Sequence, residues 1–147
     1  MLVTNHVLSG ALIGAAVRRP AAAFGAGVVS HIALDMVPHW GKWAGRRHFL
    51  RVAVPDGLAG LAAIAVFTAI SPADRRAAVV AGMAGAALPD IDKPAKLWFR
   101  RSPFPAAVDR LHERIQREAP GRARIELAAA AAFAAGALAL VRAGRRG

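Results

Sequence analysis

The chain has 147 residues, a length that fits one domain, with 56% hydrophobic residues and a formal net charge of +11. The absence of cysteine excludes disulfides, thiolate metal sites and cysteine nucleophiles. Tyrosine is also absent, and the basic residues fall between apolar blocks instead of forming an aromatic-interleaved basic face, which argues against a nucleic-acid partner.

Met1 to Asn5 carries no Lys or Arg, so the start of the chain does not read as a cleavable signal. Five apolar blocks follow, each predicted as a helix because it is rich in Ala and Leu and lacks polar alternation. The first, about 6–17, ends at Arg18-Arg19-Pro20, and the second, about 21–37, ends at Pro38. The third spans about 52–70, with Pro55 and Asp56 in its first turn. Ser71-Pro72-Ala73-Asp74 reads as a turn into the fourth, about 77–88, which Pro89 stops. The fifth covers about 125–141 and runs into a basic tail, 142–147. Gly10 and Gly14, like Ala81 and Gly85, have the four-residue spacing that lets helix backbones approach closely, although glycine is common throughout.

Between the fourth and fifth blocks the chain turns polar and basic. Val108, Leu111 and Ile115 recur at helical spacing, which predicts an amphipathic helix over about 106–118. Trp98, Phe99 and Phe104 are expected to anchor it at a membrane interface. The predicted fold is a single all-α membrane domain, 1–147: an integral bundle of four to five short helices plus one amphipathic interfacial helix. A full span needs about 20 apolar residues, so blocks one and four are short for crossing unless flanking Arg75 and Arg76 snorkel. A soluble Ala-rich helical domain is the competing fold.

The chemistry-bearing residues are few: Asn5, His6, Ser30, His31, Asp35, His39, Trp40, Asp56, Asp90, Asp92, Asp109, His112 and Glu113. Short loops make neighbouring helices antiparallel. All of these residues then fall at one end of the bundle, and the other end holds Arg18, Arg19, Asp74, Arg75, Arg76 and the tail, without histidine. His31 and Asp35 are four apart on one helix face, a spacing at which both can grip one ion or Asp35 can orient the imidazole. Ionisable groups at membrane depth are costly and are functional candidates by default. Taken singly, each of these histidines reads as a capping or interfacial residue, and Asp56 and Asp90, each after a proline, as helix-end residues.

Thr4-Asn5-His6, Ser30-His31-Ile32-Ala33-Leu34-Asp35-Met36-Val37-Pro38-His39-Trp40 and Leu88-Pro89-Asp90-Ile91-Asp92 occur in that order. Together they resemble the small bacterial membrane-bound metal-dependent hydrolase family, from His6 to about Gln116. The resemblance implies metal ligation by His6, His31, Asp35, His39 and Asp90, with Asp56 and His112 as candidate proton carriers. The His-Arg-Gly-x-Thr-His stretch of longer relatives has no counterpart here.

The function expected from this set is a metal-dependent hydrolase in the cell membrane, multi-pass, with zinc or manganese as the divalent ion. Its substrate would be a phosphoester or lipid-linked molecule at the membrane surface, with Lys93, Lys96, Arg100 and Arg101 near its phosphate. Most of the 20 Lys and Arg lie on the site-bearing side, which predicts a cytoplasmic site. The alternative is a non-catalytic membrane scaffold that docks a partner through its polar face. An ion transporter fits poorly, since no repeat is evident.

Overall fold

The computed structural model describes residues 1–146, so Gly147, the end of the basic tail, lies outside the described residues. The elements in order are α1 (Val3–Val17), α2 (Pro20–Asp35), β1 (His39–Trp40), α3 (Arg46–Ile70) and α4 (Ala73–Ala87), followed by a 3-10 turn at Leu88–Ile91. Then come α5 (Asp92–Phe99), α6 (Ala106–Ile115), β2 (Glu118–Ala119) and α7 (Ala123–Gly144). The protein is all-helical apart from the two-residue strands, which pair in parallel, His39 with Glu118 and Trp40 with Ala119.

Local chemistry explains the breaks. Arg18 takes a left-handed conformation (φ 61°) and donates its amide to the Gly14 carbonyl, which closes α1. Pro20 then starts α2 at a position where the missing N–H costs nothing. Pro89 tightens the end of α4 into the 3-10 turn.

Two boundaries and one side chain depart most from the sequence reading. Helix α3 begins at Arg46, well before Val52, and carries Pro55 in its interior. The segment Arg46 to Arg51 is not apolar, but its Arg and Leu residues are good helix formers. Helix α6 stops at Ile115 because Glu118 and Ala119 leave to pair with β1. Arg75 does not snorkel outward: it is buried, and its guanidinium donates to the Leu140 carbonyl of α7.

Helices α1 and α4 form the centre. Val7, Leu8, Ala11 and Ala15 of α1 pack with Val79 and Met83 of α4, Phe67 of α3, and Ala137 and Val141 of α7. The small residues set the helix spacing. A Cβ on Gly10 would stand 2.7 Å from the Met83 Cα, and one on Gly27 of α2 would stand 2.8 Å from the Ala86 amide nitrogen. At fifteen residues each, α1 and α4 are about 22 Å long, short of the ~30 Å apolar layer of a bilayer.

Two helices, α3 and α7, are long and apolar enough to cross a membrane. Little of either apolar stretch is buried inside the protein: Leu61 of α3 is 64% exposed and Leu127 of α7 is 71% exposed. Apolar surface on this scale needs a cover that water does not provide.

Candidate metal centre

The start of α1, the last turn of α2 and the turn after α4 meet at one end of the bundle, and α6 lies across them. This brings His31 and Asp35 (α2), Asp90 (the turn) and His112 (α6) together, all four buried. His31 Nε2 lies 3.1 Å from Asp35 Oδ2, 3.1 Å from His112 Nε2 and 3.9 Å from Asp90 Oδ1. His112 Nε2 lies 3.2 Å from Asp35 Oδ2 and 3.7 Å from Asp90 Oδ1.

These separations test whether an ion fits. Four ligands at about 2.0–2.1 Å from a tetrahedral ion stand roughly 3.3–3.4 Å from one another. The observed edges bracket that value. The protonation pattern points the same way. His31 Nδ1 donates to the Ala86 carbonyl at 2.7 Å, which fixes the tautomer and leaves a lone pair on Nε2. That nitrogen lies against a carboxylate oxygen and a second imidazole nitrogen, a cluster of ligand atoms that could hold a cation. The donor set, two imidazoles and two carboxylates without thiolate, is one that a divalent metal ion could use.

Other groups support the quartet from outside. Asp92 Oδ1 is 3.7 Å from His112 Nδ1, on the side away from the cluster. Gln116 Nε2 reaches Asp35 Oδ2 at 3.4 Å and His112 Nε2 at 3.1 Å. The Met1 ammonium is 2.6 Å from Asp35 Oδ1. Lys93 Nζ lies 2.7 Å from Asp90 Oδ1 as an ion pair without directed hydrogen-bond geometry.

Electrostatics follow from these contacts. Burial acts to raise the Asp90 carboxyl, but the Lys93 ammonium and the His6 and His31 imidazoles hold it below the usual carboxylate range. Burial likewise acts to lower Lys93, and Asp90 outweighs it, so Lys93 stays charged. For Lys96 the pull of Asp92, Glu113 and Asp109 overcomes burial and raises the ammonium to about 12. Burial pushes His39 below its ordinary value, with the Met1 ammonium acting in the same direction.

The remaining sequence candidates occupy different positions. His6 stacks on His31, with ring centroids 3.9 Å apart, but stands outside the quartet. His39 is buried, and its Nδ1 donates to the Val37 carbonyl beside it. Asp56 is occupied with capping: its two oxygens accept the Val3 and Thr4 amides at 2.8 and 3.1 Å, anchoring the start of α1 on α3. His112, expected as a proton carrier, is one of the four close donors. Lys96 is tied up by Asp92 and Glu113 at 3.0 and 3.3 Å, so Lys93 is the lysine left beside the cluster.

One residue escaped the sequence reading altogether. Glu126, buried in α7, accepts from Asn5 Nδ2 at 2.5 Å, the Leu2 amide at 3.1 Å and the Trp40 amide at 3.0 Å. It pins α1 and β1 to α7 behind the cluster. A lone carboxylate in an alanine-rich block was the available signal.

An apolar cleft of about 540 Å³ opens between α3 and α5, walled by Leu50, Val54, Leu61, Ile64 and Leu97, with Asp90 and Lys93 at its polar end. A smaller recess of about 150 Å³ reaches His112 from the other side, past Val28, Phe104 and Val108.

No family model, curated protein or solved structure matches this chain. The functional reading therefore rests on the site itself.

Proposed function

We propose that this protein is a membrane-embedded, metal-dependent hydrolase acting on a phosphoester or lipid-linked substrate at the membrane surface. The observation that carries this reading is the buried His31-Asp35-Asp90-His112 quartet, whose Asp90 lines the polar end of an apolar cleft and whose His112 lines a smaller recess. A divalent ion in such a site acidifies a water so that it is reactive near neutral pH and polarises the ester oxygen.

The chain's own residues do the rest. His31, held by the Ala86 carbonyl, and His112 present ring nitrogens, and Asp35 and Asp90 supply the charge that would retain a cation. Lys93 stands beside Asp90 at the cleft's polar end, where its ammonium attracts an anionic phosphate. The apolar walls exclude bulk water and accept the substrate's hydrocarbon part. In the overall reaction one water adds across the ester. Its oxygen bonds to phosphorus, the bond from phosphorus to the alcohol oxygen breaks with the electron pair staying on that oxygen, and a proton from the water completes the alcohol.

The membrane assignment belongs to the same proposal. Helices α3 and α7 cross the bilayer, the shorter helices pack among them, and the site lies at the cytoplasmic end, where most Lys and Arg collect. Trp98 and Phe99, 67% and 75% exposed next to the cleft, support an interfacial position for α5.

The protein reconstituted in lipid should hydrolyse phosphoesters bearing an apolar chain, lose that activity on chelation, and regain it with zinc or manganese. Activity that survives complete chelation, or no turnover of any such ester by metal-loaded protein, would overturn the proposal.

A further inference from the structure

The two carboxylates of the quartet each use one oxygen there. Asp35 Oδ2 and Asp90 Oδ1 face His31 and His112. Their other oxygens, Asp35 Oδ1 and Asp90 Oδ2, turn to the opposite side, where His6 Nε2 waits at 3.2 and 4.0 Å. His6 is completely buried, and neither of its ring nitrogens has a hydrogen-bond partner among the described residues. Burying two polar nitrogens without partners is costly, and ligating an ion would satisfy one of them.

We propose a second divalent cation site, formed by His6, Asp35 Oδ1 and Asp90 Oδ2, so that the two aspartates bridge a pair of ions. This rests on reading the quartet as the first metal centre. Three observations converge on it. His6 Nε2 stands 3.2 and 4.0 Å from the two carboxylate oxygens, separations of the size that ligands on one ion adopt. The His6 and His31 rings are stacked 3.9 Å apart with an interplanar angle of 23°, so their ions would sit side by side. A ring spacing of that size is compatible with the ~3.5–4 Å between metals in two-metal hydrolytic sites. The Met1 ammonium, 2.6 Å from the same Asp35 oxygen, is a positive charge already drawn to this position, and an ion binding there would displace it. The competing arrangement is one ion with His6 as an additional ligand.

The test is manganese loading of the full chain in lipid nanodiscs, read by elemental analysis and electron paramagnetic resonance. The wild type should bind two Mn per chain with an exchange-coupled spectrum. His6→Gln should bind one Mn with the six-line spectrum of an isolated ion. One ion per wild-type chain, with an uncoupled spectrum, would overturn the second site while leaving the first intact. No bound ion in the wild type would remove the metal centre itself. The wild-type count and spectrum decide the matter even if His6→Gln fails to fold.

Discussion

Asp35→Asn is expected to strip the protein of its metal. The Asp35 carboxylate is fully buried and lies within 3.2 Å of the Nε2 atoms of His6, His31 and His112. Asparagine keeps the shape but removes the charge, and if its NH₂ takes the Oδ2 position, a donor replaces the acceptor facing two imidazoles. Loss of a supporting partner outside the ligand shell costs about 10–100-fold in metal affinity. Loss of a direct anionic ligand should exceed the upper end of that range, so the ion should not survive dialysis. The variant also leaves the Met1 ammonium without its counter-charge, which for a broken buried pair costs about 3–5 kcal/mol. If Asp35→Asn folds too poorly to be purified, His112→Gln on the outer helix α6 provides the same reading with less damage to the core. Wild-type metal content in either purified variant would contradict the assignment.

The second large effect concerns packing. Gly82 of α4 faces the Gly10 backbone of α1: a Cβ there would overlap the Gly10 carbonyl oxygen and stand 3.1 Å from the Gly14 nitrogen. These neighbours are backbone atoms, so the clash is relieved only by separating the two central helices. Gly82→Ala should destabilise by about 1–3 kcal/mol, and Gly82→Val by more. Gly25, in the exposed part of α2, has nothing within 4 Å of an added Cβ. Gly25→Ala should therefore raise stability, by about 0.5–1 kcal/mol, through the ordinary helix preference for alanine. Thermal unfolding in one detergent measures both signs. A Gly82→Ala variant as stable as Gly25→Ala would mean that α1 and α4 do not meet at this glycine contact.

Much of the site could be read in the chain because it depends on local rules. Pro89 ends a helix by its geometry, and the four-residue step from His31 to Asp35 puts both on one face. Short connections then fold α1, α2 and α4 so that His6, Asp35 and Asp90 share one end. What escaped depends on distant partners. Nothing near Glu126 in sequence indicates that it accepts from Asn5, 121 positions away. The pairing of β1 with β2 joins segments whose composition gives no strand signal. Asp56 was expected as a proton carrier, and its capping role was not legible because the amides it caps belong to another helix. The division of the aspartate oxygens between two sides of the cluster is a matter of rotamers, which sequence spacing does not encode.

The centre itself is tested most directly by X-ray absorption on the zinc- or manganese-loaded chain. The chain has no cysteine, so the expected spectrum is a nitrogen and oxygen shell, at about 2.0–2.1 Å for zinc, with the outer-shell scattering of ligated imidazole. An ion with oxygen neighbours alone, or a chain that retains no ion, would contradict a centre built on His31 and His112.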